Sequence, residues 1–64
     1  MKAIFNRNCI LIAWFEPQNK NVFSKEMFWI GFVDNAYFFS ASAKWLGGCI
    51  NGTFVDKNGR PVAW

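Results

Sequence analysis

The sequence predicts an all-β protein in which four β-hairpins form one barrel. Its 64 residues are 53% hydrophobic and 20% aromatic, a composition rich in residues that favour strands. One hairpin is clearly marked at the end of the chain, and a ten-residue pattern taken from it fits three earlier segments. Regular repetition of this kind is typical of architectures built from equivalent units.

The marked hairpin covers residues 53–64. Its turn, Asp56-Lys57-Asn58-Gly59, suits a type I turn that ends in a glycine with positive φ, as in a tight hairpin with a bulge. Apolar residues flank the turn on both sides. Residues 55–64 therefore define a ten-residue frame.

The same frame fits residues 5–14, 23–32 and 39–48. Its second place always holds a residue that favours the first corner of a turn: Asn6, Ser24, Ser40 and Asp56. Its eighth place is always aliphatic: Ile12, Ile30, Leu46 and Val62. Its ninth place is always small: Ala13, Gly31, Gly47 and Ala63. The repeat predicts a single domain over residues 1–64, made of four hairpin units at about 2–19, 20–35, 36–51 and 52–64.

The frame also assigns the two faces of the sheet, because strand side chains alternate. If the residue before each frame lies opposite the eighth place, the predicted core is Ile4, Ile12, Trp14, Val22, Ile30, Phe32, Phe38, Leu46, Phe54, Val62 and Trp64. We expect the small ninth-place residues where the hairpins crowd together around an axis. The other face is also apolar, and its aromatic side chains form a candidate interaction face: Phe5, Phe23, Trp29, Tyr37, Phe39 and Trp45.

Three segments carry a family resemblance: Ile-Phe-Asn-Arg-Asn-Cys-Ile-Leu-Ile-Ala-Trp at 4–14, Trp45-Leu-Gly, and the closing residues 51–64. In them the chain resembles the small bacterial and cyanobacterial 4-fold β-flower proteins, and the likeness extends over essentially the whole chain. It implies a shallow, pseudo-fourfold barrel of four hairpin petals from one chain, and it implies no active site. The chain departs from its own repeat at Cys9, Met27 and Ala43, which stand where the last petal has Gly59.

The reactive side chains do not predict an enzyme. The chain has no His, and its four carboxylates are far apart in the frame, so neither a triad nor a carboxylate pair is indicated. Two cysteines without any His are too few ligands for a typical zinc site. We therefore expect no metal, no cofactor and no catalytic residue. Cys9 and Cys49 fall at opposite ends of their hairpins, farther apart than the about 7 Å between Cα atoms that a disulfide spans. Free thiols are therefore expected.

The net charge of +3 comes from scattered basic residues, which argues against nucleic acid as a partner. Three of them, Arg7, Lys25 and Lys57, occupy the same place in three petal turns and are candidate contacts for anionic headgroups. We favour the simpler interpretation that exposed turns tolerate basic residues, because the same place in the third petal is Ala41. No signal peptide or membrane-spanning stretch stands out, so we expect a cytoplasmic protein, with peripheral attachment to a membrane as the alternative.

The apolar second face suggests the function. Burying one large apolar side chain gains about 1.5–3 kcal/mol. We therefore expect the several large apolar side chains of this face to be buried against another surface. The leading hypothesis is a non-enzymatic interaction module that forms a homo-oligomer or binds a protein partner through the aromatic face. The alternative is a lipid-binding or membrane-peripheral protein that uses the aromatic face and the basic petal turns.

Overall fold

The computed structural model describes residues 1–64 and is built from strands and turns. The strands are β1 (Lys2–Phe5), β2 (Leu11–Glu16), β3 (Asn21–Ser24), β4 (Trp29–Asp34), β5 (Tyr37–Ser40), β6 (Trp45–Ile50), β7 (Thr53–Val55) and β8 (Pro61–Ala63). They lie in one antiparallel sheet in chain order. The prediction of an all-β fold with four hairpins is confirmed, and we call each hairpin a petal.

The last strand returns to the first and nearly closes the sheet into a barrel. The Phe5 N–H donates to the Trp64 carbonyl at 2.7 Å, and the Trp64 N–H donates back to the Phe5 carbonyl at 2.9 Å. Asn6 and Ala63 form an isolated antiparallel bridge beside them. The edges of β1 and β8, which would otherwise expose unpaired backbone groups, therefore partly satisfy each other.

Every petal carries a β-bulge at the same place. In the first petal Phe5 pairs with Leu11 and Ile4 pairs with Ala13, so Ile12 has no partner on β1. The register shifts in the same way in the other three petals, and their unpaired residues are Ile30, Leu46 and Val62. The eighth place of the frame is therefore the bulge residue of each petal, where one strand carries an extra residue.

The bulge corrects the predicted core. The residue before each frame lies opposite the ninth place, not the eighth, as Ile4 opposite Ala13 shows. The four eighth-place residues predicted as core are 38–41% exposed. The tenth-place residues Trp14, Phe32 and Trp64 are also outside the core, since the first two are only half-buried and Trp64 is exposed.

The observed core is small. Six buried apolar residues form it: Ile4, Ala13, Val22, Val33, Phe54 and Ala63. The sequence correctly predicted Ile4, Val22 and Phe54 as core, and Phe38 packs against the cluster while partly buried. The alternating pattern did not predict Val33 as core, because Val33 lies on β4 one residue beyond the end of the frame at 23–32.

The four petal turns share one set of hydrogen bonds. In each turn the carbonyl of the second-place residue accepts the N–H three residues later at 2.9 Å, as from Gly59 to Asp56. The side-chain oxygen of the same residue accepts the N–H four residues later at 3.0–3.2 Å, as from Arg60 to Asp56. Asn, Ser and Asp are therefore present at this place because each offers a short side-chain acceptor.

The fifth place of the frame has positive φ in all four turns. The values are 61° at Cys9, 73° at Met27 and 66° at Ala43, so three petals use a side-chain-bearing residue where Gly59, at 81°, is unstrained. The departures from the repeat therefore change the residue and not the conformation. Positive φ costs a non-glycine residue roughly 1–2 kcal/mol.

Replacing Ala43 by glycine should therefore stabilise the protein. We expect Ala43→Gly to raise the free energy of unfolding by on the order of 1 kcal/mol. Part of this gain is offset because glycine increases the conformational entropy of the unfolded chain. The melting temperature, followed by circular dichroism, should rise by a few degrees.

The matched control is the reverse change in the last petal. Gly59→Ala should lower the melting temperature by a similar amount, because an added Cβ at Gly59 meets nothing within 4 Å and only the backbone strain remains. Equal melting temperatures for both variants and the wild type would show that the positive φ carries no cost.

Candidate interaction face and cavities

Most of the candidate aromatic face lies on the outer side of the second and third petals. Phe23 is on β3, Trp29 on β4, Tyr37 and Phe39 on β5, and Trp45 on β6. The structure brings these five residues onto adjacent strands, with Phe23 paired to Trp29 and Phe39 paired to Trp45. Phe5 stands apart on β1, two strands away from β3.

The rings of this face are fixed against one another. Trp29 stacks on Phe32 with centroids 6.5 Å apart, and Phe32 stacks on Phe39 at 5.3 Å. The Trp45 indole N–H donates to the Gly47 carbonyl at 2.7 Å, and the Lys57 ammonium lies 5.5 Å from the centre of the Trp45 ring. We call Phe23, Trp29, Phe32, Tyr37, Phe39 and Trp45 the outer aromatic face.

The ordered rings remain accessible to solvent. Trp29, Tyr37 and Trp45 are exposed, at 43–55%, while Phe23, Phe32 and Phe39 are half-buried between them. The sequence prediction did not place Phe32 here, since it was assigned to the core. Phe32 connects Trp29 to Phe39 and so makes the face continuous.

The basic candidates lie at the petal turns. Arg7, Lys25 and Lys57 are all exposed in their turns, and Lys57 is the one that also contacts the outer aromatic face. Beside them the first two turns expose large apolar side chains that were not singled out from the sequence. These are Ile10, Met27 and Phe28, and Phe28 is 71% exposed.

A cavity of about 300 Å³ opens at the petal-turn end of the barrel. The four bulge residues lie around it, and Ile4, Val22, Phe38 and Phe54 lie among its other lining residues. Asp56 is its single charged residue. Sequence reasoning missed this tip cavity because simple alternation placed the bulge residues in the core; the bulge signal in the Asp56–Gly59 turn could have revealed it.

A second cavity, of about 340 Å³, opens at the opposite end, where the petals are joined. We call it the loop-end cavity. Ile4 and Phe54 line both cavities, so only a thin layer of core separates them. Cys49 lines this end as a half-buried free thiol, while Cys9 is a free, exposed thiol at a petal turn. Burial raises the pKa of the Cys49 thiol, against a smaller lowering by the Gly52 N–H and the Lys2 charge.

Asp56 forms the ion pair of the fourth petal. Its Oδ2 lies 3.3 Å from Arg60 Nε, and its Oδ1 accepts the N–H groups of Asn58 and Arg60 at 2.9 and 3.0 Å. The backbone N–H of Arg60 is the largest cause that lowers the pKa of this carboxyl, followed among the lowering causes by Asn58 and the Arg60 charge.

The lowered pKa of Asp56 predicts an acid-dependent part of the stability. A carboxyl with a depressed folded pKa stabilises the fold above its ordinary pKa of about 4, and this contribution is lost as the pH falls through the folded value. The Asp56→Asn variant keeps an acceptor oxygen but does not titrate. We expect the wild type to melt higher than the variant at pH 7, and the gap to close as the pH falls through the lowered pKa of Asp56. Parallel melting curves from pH 7 to pH 2 would contradict this.

The remaining polar side chains form neither a metal-binding cluster nor a set of buried, unpartnered polar atoms. No group of three or more His, Cys, Asp or Glu residues is arranged to hold a metal ion. No buried side-chain nitrogen or oxygen lacks a hydrogen-bond partner. No segment forms a helix with the length and apolar character needed to cross a membrane.

These features define a small all-β domain of four equivalent hairpins that exposes many large apolar side chains. The chain belongs to the 4-fold beta flower protein family, because the model of that family matches residues 2–64. No curated protein matches the chain, and no solved structure matches it either.

Proposed function

We propose that the protein is a non-enzymatic interaction module that self-associates through its outer aromatic face. The observation that carries this proposal is the stack of Trp29, Phe32 and Phe39, in which the rings hold one another while Trp29 stays exposed to solvent. Contacts between proteins are enriched in aromatic residues, and Trp and Tyr often dominate their binding energy. A protein partner with a matching apolar patch would use the same face.

Pre-ordering of the rings favours association. Binding usually costs about 0.5–1.5 kcal/mol for each side chain that becomes fixed. Trp45 is already held by its hydrogen bond to Gly47 and by the Lys57 ammonium near its ring, and Trp29 is held by Phe32. The face therefore loses little side-chain entropy when it is covered.

The size of the molecule is compatible with such a contact. A standard interface takes roughly 800 Å² from each partner, which is about a fifth of the 4439 Å² that one chain exposes. Strands β3 to β6 form half of the eight-stranded barrel wall. Two copies that meet over part of this wall reach a standard interface area.

Light scattering coupled to size exclusion tests the proposal. We expect the wild type to elute with a mass at least twice that of one 7.4 kDa chain. The double variant Trp29→Ser, Trp45→Ser should elute as a monomer, because it removes two exposed rings of the face. Phe28→Ser is the matched control, since it removes a more exposed aromatic ring outside the face. A wild type that stays monomeric at high concentration contradicts self-association.

A specific observation supports a second candidate function, attachment to an anionic membrane surface through the petal turns. Phe28 and Met27 are exposed beside Lys25, and Ile10 is exposed in the turn that carries Arg7. Apolar side chains beside cations are the combination that binds anionic lipid surfaces. This candidate uses the turns and not the outer aromatic face.

Sedimentation with lipid vesicles separates the two candidates. Vesicles of phosphatidylglycerol and phosphatidylcholine should pellet the wild type and not the double variant Lys25→Gln, Phe28→Ser, whereas pure phosphatidylcholine vesicles should pellet neither. The Trp29→Ser, Trp45→Ser variant should still pellet. If the anionic vesicles leave the wild type in the supernatant, the membrane candidate fails.

A further inference from the structure

The loop-end cavity differs from the tip cavity in charge. Thirteen residues line it, including Lys2 and Lys20, and none of them is Asp or Glu. Its apolar lining includes Phe15, Val33 and Phe54, and the last two belong to the core. Two lysines thus line a mostly apolar cavity whose lining contains no carboxylate.

Neither lysine has a carboxylate partner elsewhere. The ion pair of the structure joins Arg60 and Asp56 in a petal turn at the other end. Glu16, which lies next to the lining residue Pro17, is engaged by its own loop, since its Oε2 accepts the Asn19 N–H at 2.9 Å.

The position of Lys2 places its charge at the cavity. A Cβ added to Gly52 would lie 3.7 Å from the Lys2 Nζ, so the ammonium is close to the Gly52 backbone. Its charge also acts on the pKa of Cys49, and both Gly52 and Cys49 line the cavity. The ammonium therefore stands beside the cavity wall.

Backbone hydrogen bonds hold the cavity open. The Lys20 carbonyl accepts the Val33 N–H at 2.9 Å, and the Ala36 carbonyl accepts the Cys49 N–H at 2.8 Å. Both bonds tie a turn between petals to the wall of the barrel. A preformed, mostly apolar hollow with a few polar groups is the usual form of a small-molecule site.

We propose that the loop-end cavity binds a small organic carboxylate, with its apolar body against Phe15, Val33 and Phe54 and its carboxylate at the ammonium groups of Lys2 and Lys20. Hydrogen bonds between charged groups are stronger than neutral ones. The volume of 340 Å³ lies near the lower end of the roughly 300–1,000 Å³ typical of ligand pockets, which fits a short or medium-chain fatty acid. This site goes beyond the proposed self-association and does not use the outer aromatic rings.

Titration with octanoate, followed by nitrogen-15 NMR, tests the site in the full chain. We expect saturable shifts of the amide signals of Ala36, Cys49 and Gly52, with no comparable shift at Asn58. Lys2→Gln and Lys20→Gln should each weaken octanoate binding by about tenfold. Lys25→Gln is the matched control at the other end and should bind as the wild type does. Octanol should bind more weakly than octanoate and with equal affinity to all four proteins.

A second measurement uses the thiol in the cavity wall. In a Cys9→Ser background Cys49 is the single thiol, and octanoate should slow its alkylation by iodoacetamide because the bound chain covers it. Absence of saturable amide shifts, an unaltered alkylation rate, or equal octanoate affinity in a Lys2→Gln, Lys20→Gln double variant would each overturn the proposal. Shifts confined to Ile30 and Leu46 would also overturn it, since they place octanoate in the tip cavity. These readouts are valid for a monomer or an oligomer, so they are independent of the self-association test.

Discussion

Replacing Phe54 by alanine is expected to unfold most of the chain at room temperature. Phe54 is 6% exposed, and its ring makes edge contacts with Phe15 at 6.2 Å and Phe38 at 5.3 Å between centroids. Removal of a buried Phe side chain costs about 3–5 kcal/mol. At 0.05–0.15 kcal/mol per residue, a chain of this length has only roughly 3–10 kcal/mol of stability, so the loss is of the same size as the total.

The matched control for this change is Phe28→Ala, which removes the same atoms from an exposed position. We expect the control to stay within about 0.5 kcal/mol of the wild type, and Phe54→Ala to melt at least about 12 °C lower if it folds at all. Thermal unfolding followed by circular dichroism measures both. If the two variants melt together, Phe54 is not the centre of the core.

The positions of the petals could be predicted from the sequence because each turn is specified locally. A short polar side chain at the second place accepts backbone N–H groups in every petal, so Asn6, Ser24, Ser40 and Asp56 mark the turns independently of tertiary contacts. The small ninth place could also be recognised. Ala13, Gly31, Gly47 and Ala63 are all buried, as a place of close packing requires.

The core could be predicted only in part, because a bulge changes the register within each petal. The sequence of the last turn indicates a bulge, but simple alternation from the turn assigns the faces as if no extra residue were present. A one-residue shift moves a strand's side chains to the other face. Ile12 and Ile30 consequently surround the tip cavity, and Trp14 and Phe32 lie outside the core.

The positive φ of three turn residues follows from the shared turn geometry, and the preferences of these residue types do not predict it. Cys9, Met27 and Ala43 adopt the conformation of Gly59 although side chains disfavour it. All four turns are closed by the same hydrogen bonds from the second-place residue, so the fifth place takes positive φ whichever residue stands there. The cost at these residues is offset by the hydrogen bonds that the barrel gains.

The cavities could not be found from the sequence because they depend on which ends of the strands converge. Lys2 and Lys20 are separated by a whole petal along the chain, yet both line the loop-end cavity. In contrast, the outer aromatic face could be anticipated in large part. Phe23, Trp29, Tyr37, Phe39 and Trp45 lie on consecutive strands, and neighbouring strands in sequence are also neighbours in the sheet.

Gly47→Ala is expected to be the second large loss of stability. An added Cβ would stand 2.1 Å from the Val55 carbonyl oxygen and 3.1 Å from the Val55 carbonyl carbon. Both atoms belong to the backbone of β7, so no rotamer change can relieve the contact. Strand β7 must move away from β6, whose Gly48 and Cys49 pair with it. Overpacking in a dense core costs about 1–3 kcal/mol, and occasionally more, and we expect a value at or above the top of this range.

The matched control is the same place in the first petal, where Ala13 already carries the Cβ. Ala13→Gly should cost about 1–2 kcal/mol, through the added freedom of the unfolded chain and the loss of one buried methyl group. The difference between petals follows from how they are joined. Glycine stands at the ninth place where a two-residue turn, 35–36 or 51–52, leads to the next petal, whereas Ala13 stands where four residues, 17–20, lead to it. A short turn holds the next strand close, so the Cβ is excluded there. Equal melting temperatures for Gly47→Ala and Ala13→Gly would contradict this explanation.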